Sequence, residues 1–509
     1  MEPKRARLAF YRKVKTGCLT CKARKIKCDE VKPNCQRCTS TGRQCDGYRS
    51  STPETRKRAI TTLSAHPQGL FQSDDERRSF SFFQTRAGKS LGGYFNQPFW
   101  GRQVMQAAIH YPSIRHLVIA IGSAYEDLET GKPSTKMEFA FQQCNSSIKL
   151  LAAATSNNSS KESPQSTETI ASVLTASVLF IYLASMQGYL AEAVQHVRSA
   201  IKLLRDYDRR QQSDSPLSQT KFPIPLSQLR ALLISIYGQL RIMIDSIDLS
   251  EKQDMLVSDL EPATIFLSIE EAHAHVERLL QNTHSFMQET AHRPAITPED
   301  LQAVVARHRH LCQVLHSSRD ALDVFESKSH SGDSSDDTDT QKAIVTLKLY
   351  HLIISIRLRI NVFAPQDRED AFDAEDLDNS FREMLAYCEV LAACEGQMTT
   401  TPACTSGLGH IMPLHMITHR CRDPVVRARA LQLLLESRRT EGIWNGQLSG
   451  LVAKETVAIE EEGVYGRVRE VKLEFRGERC AVIKYETVRD WEEGRAGGKP
   501  RIREKVLEW

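Results

Sequence analysis

Six cysteines carry the clearest chemistry in this 509-residue chain: Cys18, Cys21, Cys28, Cys35, Cys38 and Cys45. They repeat one half-motif, C-x2-C-x6-C, with six residues between the two copies. Thiolate sulfur suits zinc, which takes four ligands in a tetrahedron at about 2.3 Å. A C-x2-C pair makes a tight turn that aims two sulfurs at one ion, and the third cysteine arrives from the far end of a short helix. Each half therefore offers three sulfurs, one short of a closed shell. Two zincs need eight ligand positions and six cysteines fill six, so two sulfurs must bridge both metals. Disulfides are disfavoured, because Met1 to Lys15 is studded with Lys and Arg and shows no apolar run of a secretory signal, so the thiols read as reduced. Two separate four-ligand fingers lack ligands, since no histidine precedes His66.

Between Cys21 and Cys28 lie Lys22, Ala23, Arg24, Lys25, Ile26 and Lys27, four cations among six helix-compatible residues. A charge run is ordinarily a solvated face, but this one is pinned to a metal site inside a basic head. Residues 1–58 hold 17 Lys and Arg against 5 Asp and Glu, whereas the rest of the chain holds 50 against 58. That asymmetry is expected where one end meets a polyanion. A rigidly held basic helix fits the major groove of double-stranded DNA. Lys or Arg there donates to guanine O6 and N7 while neighbouring cations neutralise phosphates. Lys4, Arg5, Arg7, Arg12, Lys13 and Lys15, and again Arg56-Lys57-Arg58, have the spacing of nuclear-import signals or a DNA-contacting arm, or of a solvated charged tail.

This head resembles the fungal binuclear zinc-cluster transcription factors, in the spacing of all six cysteines and in Lys32-Pro33-Asn34 before Cys35. The resemblance implies that Cys18 and Cys35 are the bridging sulfurs and that Pro33 follows a cis peptide bond. It implies that Lys25 reads a CGG-like triplet, with Lys22, Arg24 and Lys27 touching phosphates or supporting the helix. A nuclear regulator of RNA polymerase II genes, partnered by DNA and the transcription machinery, follows from the same resemblance. Three stretches of the remaining chain resemble the bodies of such regulators. They are Tyr94-Phe95 through Phe99-Trp100 to Ile121 and Tyr125; Leu179-Phe180 through Gln187-Gly188 to His196 and Leu203-Leu204; and Cys421-Arg422-Asp423-Pro424 with Glu441-Gly442-Ile443-Trp444. In that group the helical body serves regulation, and many members stand beside biosynthetic gene clusters, which implies control of secondary metabolism.

The elements that must carry these groups are mainly α-helical. The expected order is a basic arm at 1–17, the binuclear zinc-cluster DNA-binding domain at 18–48 and a flexible linker at 49–73. A large α-helical regulatory body at 74–465 and a segment with a short C-terminal β-hairpin at 466–509 complete it. No sustained heptad run joins Tyr48 to Gln72, so monomeric binding, or dimerisation through the body, outranks a coiled coil. Asp74-Asp75-Glu76 opens a helix, and Ile114, Leu117, Val118 and Ile121 form an apolar face. Helices around Val178–Met186 and Ala193–Leu204, broken at Gln187-Gly188, read as a hairpin. Further helices lie near Leu226–Ile244, Ile269–Met287, Pro298–Phe325, Lys342–Asn361 and Phe381–Ala393. Ser327 to Thr340, with four aspartates and no apolar residue, reads as a disordered acidic loop. Val471, Leu473 and Phe475 alternate, as do Ala481, Ile483 and Tyr485, which is a hairpin signal.

Thr169 to Ala191 is uncharged and long enough to span a bilayer, but its Ser, Thr, Gln and Gly residues favour a buried core helix and no membrane partner. Nucleotide-binding glycine loops, H-E-x-x-H and G-x-S-x-G are absent from the sequence, which excludes the usual enzyme constellations. His308, Cys312 and His316, and the pair His273 and His275, fall at ligand-like spacing and read as ordinary helix residues. The competing reading of the whole is a zinc-stabilised scaffold or co-regulator with no DNA specificity of its own.

Overall fold

The computed structural model describes residues 17–24, 26–46, 69–131, 136–156, 166–211, 222–243, 260–291, 298–329, 337–359, 375–396, 403–407, 409–463, 467–476, 480–495 and 501–508. Two compact units partition the chain, Met1–Gln72 and Ser73–Trp509. The described part of the first is two short helices, α1 (Leu19–Ala23) and α2 (Gln36–Thr39), wrapped around the cysteines. Lys25, the basic arm, Tyr48 and Arg56 to Arg58 lie outside the described residues.

The second unit is mainly α, and its first helix shows why. Ser73 caps α3 (Asp74–Phe82), its Oγ accepting from the Glu76 amide at 3.2 Å, and three acidic residues in the first turn face the positive helix end. A π-helical turn at Phe83–Ala87 and α4 (Gly88–Gly92) continue it, and a second π turn at Pro98–Gln103 leads into α5 (Val104–His110). Next, α6 (Pro112–Thr130) has Pro at its start and stops at Gly131, whose φ of 62° suits a residue without a side chain. This helix packs on α3, α5 and α7 (Lys136–Ser156). The contact with α3 is close enough that a Cβ on Gly122 would overlap the carbonyl of Ser79.

Most of the uncharged segment lies in α8 (Thr167–Gln187), capped by Ser166 and ended by Gly188 at φ 84°, and α9 (Leu190–Gln211) returns along it. The helix is long and apolar enough to cross a membrane, yet 72% of its most apolar window is buried inside this unit. Then follow α10 (Leu226–Met243), α11 (Ile269–Ala291), α12 (Pro298–Ser329), α13 (Asp337–Arg359) and α14 (Glu375–Gly396). The expected acidic loop is therefore shorter than its composition suggested. Ser327–Ser329 finish α12 and Asp337–Thr340 start α13, where aspartate favours the helix N-terminus, and 330–336 lie outside the described residues.

Sequence patterning gave no sign of a small sheet of β1 (Ala403–Thr405), β2 (Arg439–Glu441) and β3 (Trp444–Asn445), in that order. Strands of two or three residues are too short for alternation to register. This corner gathers the body motifs. Ser406 accepts from Trp100 Nε1 at 2.8 Å and from Asn96 Nδ2 at 3.2 Å, and its carbonyl accepts from Tyr182 at 3.0 Å. Gly442, at φ 61°, donates its amide to Thr405. Asp423 caps α16 (Pro424–Glu436), which follows α15 (Ile411–Arg420).

After α17 (Gly446–Glu461), the hairpin forms as read: β4 (Val468–Phe475) pairs antiparallel with β5 (Cys480–Thr487), placing Val471 opposite Tyr485 and Leu473 opposite Ile483. A third strand, β6 (Arg503–Glu508), extends it after α18 (Val488–Arg495). Alternation missed β6 because it is a charged and largely exposed edge. A buried fork holds it instead, Arg503 donating from Nε and Nη2 to the two oxygens of Asp490 at 2.8 and 2.9 Å.

Candidate metal centre and nucleic-acid interface

Each C-x2-C turn becomes a one-turn helix with a sulfur at its head. Cys18 caps α1 and its Sγ accepts from the Cys21 amide at 3.3 Å; Cys35 caps α2 and accepts from the Cys38 amide at 3.3 Å. The third cysteine of each half returns to the first: Cys18 N–H donates to Cys28 Sγ and Cys35 N–H to Cys45 Sγ, both at 3.4 Å. The two halves thus repeat in geometry as they do in spacing. Amide hydrogens aimed at sulfur favour the thiolate form.

The sulfurs fall into two overlapping quartets. Cys18, Cys21, Cys28 and Cys35 lie mutually within 4.8 Å, as do Cys18, Cys35, Cys38 and Cys45. Cys18 and Cys35 belong to both, with sulfurs 3.5 Å apart, and Cys21 stands 3.6 Å from Cys35. A tetrahedron with bonds of about 2.3 Å has sulfur–sulfur edges of roughly 3.8 Å, so this donor set fits two zinc ions. Burial pushes the Cys18, Cys21 and Cys35 thiols up, since a lone thiolate is poorly solvated there. A divalent cation reverses that preference and couples its own binding to folding.

Sequence reasoning missed the clamp between halves. Asp29, directly after Cys28, accepts from the Arg37 amide of α2 at 2.7 Å and from Val31 at 3.1 Å. Asp46, directly after Cys45, accepts from the Thr20 hydroxyl of α1 at 2.8 Å and donates its amide back at 2.9 Å. Each half therefore reaches over to the other half's helix. The amides of Val31 and Arg37 hold the Asp29 carboxyl below the usual range. A signal was present, since an aspartate follows the third cysteine of both halves. The Lys32–Pro33 peptide is cis, as the resemblance implied.

The basic run is less helical than expected. Its helix ends at Ala23, with Arg24 as the C-terminal cap, and Ile26 N–H closes onto Cys21 O at 3.1 Å. The chain must turn there for Cys28 to reach the cluster, and Ile26 packs against the sulfurs. Lys22 and Lys27 are exposed, and Arg24 is half-buried.

The family model for the fungal Zn(2)-Cys(6) binuclear cluster domain matches residues 16–55. The head is a fungal binuclear zinc-cluster domain. Beyond it, the chain is 29% identical over 263 residues to the aspercryptin biosynthesis cluster-specific transcription regulator atnN of Emericella nidulans, a match covering 44% of this chain and 40% of that protein. It is 28% identical over 247 residues to the transcription regulator lscL of Purpureocillium lilacinum, covering 43% of this chain and 56% of that one. The transcriptional regulatory protein moc3 of Schizosaccharomyces pombe is 58% identical over 43 residues, 8% of each chain. The chain thus spans about half or less of the first two relatives, all of which are named as transcription regulators. No solved structure matches.

Other ligand-like groupings dissolve in three dimensions. His308 turns its Nε2 to Leu358 O at 2.8 Å, His316 lies on the surface beside Asp320, and His273 stacks on Phe95 at 4.0 Å. Among the described residues, only the zinc-cluster cysteines bring metal-ligand atoms together in quartets.

Proposed function

We propose that this protein is a nuclear, sequence-specific regulator of RNA polymerase II transcription that reads CGG-like triplets in double-stranded DNA. The overlapping cysteine quartets carry the reading. They support Cys18 and Cys35 as bridging ligands and Cys21, Cys28, Cys38 and Cys45 as terminal ligands of two zincs. Zinc supplies rigidity here: it holds a short basic turn still so that its side chains meet base edges at little entropic cost. Lys25 is assigned to the triplet, and Lys22, Arg24 and Lys27 to phosphates or to support of the turn. The helical body, 74–465, receives a signal and engages the transcription machinery, with 49–73 as linker and 466–509 as the appended sheet. The name of the aspercryptin-cluster relative supports a biosynthetic gene cluster as the target.

The test uses the full-length protein. Two zincs per chain and selective retention of duplexes carrying CGG over scrambled duplexes are expected at moderate salt. Lys25→Ala should relax preference at one triplet by about 1–3 kcal/mol, whereas Arg7→Ala should weaken all sequences alike. One zinc per chain, or no sequence preference, would sink the proposal in favour of a zinc-stabilised scaffold.

A further inference from the structure

Within the body, a narrow slot opens between α10, α11 and the corner of the β1–β3 sheet, enclosing about 640 Å³ counted out to its mouth on solvent. Leu280, Tyr350, Met412 and Trp444 provide apolar wall. Gly409 keeps the floor low, since a Cβ there would overlap the Glu441 carboxylate.

The polar groups of this wall divide into two kinds. The two acids are already engaged. Glu277 accepts from Ser235 at 2.7 Å and stands 3.4 Å from His273 Nε2, while Glu441 accepts from two backbone amides and Arg439. Three other groups are enclosed and unsatisfied: Arg241 Nη2, His284 Nε2 and Gln239 Oε1 make no hydrogen bond among the described residues. Arg241 is 8% exposed and forms no ion pair there; the ring of Tyr237 lies 6.0 Å from its Cζ. The nearby Glu289 is engaged by Arg307. Arg357, which can only donate, points Nη1 at His284 Nδ1 from 3.0 Å, so His284 Nε2 carries the hydrogen and is a free donor. Burial, then Arg357 and Arg241, keeps that ring uncharged.

A buried, unpaired guanidinium beside an unpaired N–H donor costs stability that an apolar wall does not recover. Such costs are tolerated where a ligand satisfies the groups. We propose that this slot binds a small organic acid, its carboxylate on Arg241 and His284 and its apolar body against Tyr350, Met412 and Trp444. Gln239 then offers an acceptor to a hydroxyl or amide on the acid. Nothing above assigns this site, and it is independent of how the zinc-cluster domain reads DNA.

The experiment is ligand-observed NMR and thermal unfolding of the full-length protein with benzoate, phenylacetate and hexanoate. Benzyl alcohol, phenylacetamide and hexanol serve as neutral isosteres. At least one acid should bind saturably and raise the unfolding midpoint by a few degrees, while its neutral isostere binds at least tenfold more weakly. Arg241→Gln should remove that discrimination while leaving the ligand-free midpoint equal to or above that of the unmodified protein. If no acid binds, if a neutral isostere binds as well, or if Arg241→Gln keeps the preference, the site is wrong. A variant that fails to fold leaves the acid-against-isostere comparison on the unmodified protein to decide. None of these readouts involves DNA, so failure here leaves the transcriptional reading standing.

Discussion

Replacing Glu441 by glutamine tests what holds the corner where the body motifs meet. Its carboxylate is 3% exposed and accepts from the amides of His410 at 3.2 Å and Ile411 at 2.9 Å, the start of α15, and from Arg439 Nε at 2.9 Å. Glutamine has the same shape but one acceptor oxygen, and its amide hydrogens would face donors. Each hydrogen bond to a charged group contributes about 1.5–3 kcal/mol, and the substitution also takes the carboxylate charge away from Arg439, whose side chain is 14% exposed. Removing one member of a buried pair costs about 3–5 kcal/mol, which already contains those hydrogen bonds, so that range is the expected loss. Urea unfolding of the full-length protein, followed by far-ultraviolet circular dichroism, measures it. Arg439→Met should cost a comparable amount, and the double variant should lose at least about 1 kcal/mol less than the sum of the singles. A loss below about 1 kcal/mol for Glu441→Gln, or strict additivity, would refute the reasoning.

Cys18→Ala should remove both zincs, because Cys18 belongs to both quartets, whereas Cys28→Ala should leave the quartet of Cys18, Cys35, Cys38 and Cys45 and about one zinc, read by metal analysis. Burial lowers His275 to about 4 and His351 to about 3, aided by Arg278 and Arg319 respectively. The unfolded chain takes up those protons near pH 6.5 while the folded one does not, so body stability, fully present above about 6.5, falls as pH drops toward 4. The depressed carboxyls of Asp423, Glu474 and Asp490 add their loss only at lower pH, so a melting midpoint unchanged from pH 7 to 5 would contradict the assignment. Gly122→Ala should destabilise the body by about 1–3 kcal/mol, since α3 must move off α6 to relieve the overlap with Ser79, and a neutral effect in urea unfolding would argue against that close packing.

The two-zinc centre was legible because its information is local. Ligand type, number and spacing lie within one short stretch, and tetrahedral zinc admits few ways to satisfy them. Helix type was legible where end signals agreed with periodicity, as at the acidic turn Asp74-Asp75-Glu76 and at Gly188. The helical extent of Lys22–Lys27 was not, because helix propensity favours continuing while Cys28 must turn back to the cluster. The clamps of Asp29 and Asp46 were half visible, as a repeated residue without a stated partner.

What the amino-acid order determined alone was the metal, its stoichiometry, the basic face beside it and the mainly helical body. Each of these rests on contacts between residues near one another in the chain, or on composition. Only the tertiary structure decided that Asn96, Trp100 and Tyr182 converge on Ser406, that Glu441 is buried against α15, and that β6 joins the hairpin. It alone left Arg241 and His284 enclosed with donors unspent. These features depend on which distant segments meet, and desolvation, which gives buried polar groups their energy, acts only once they have met.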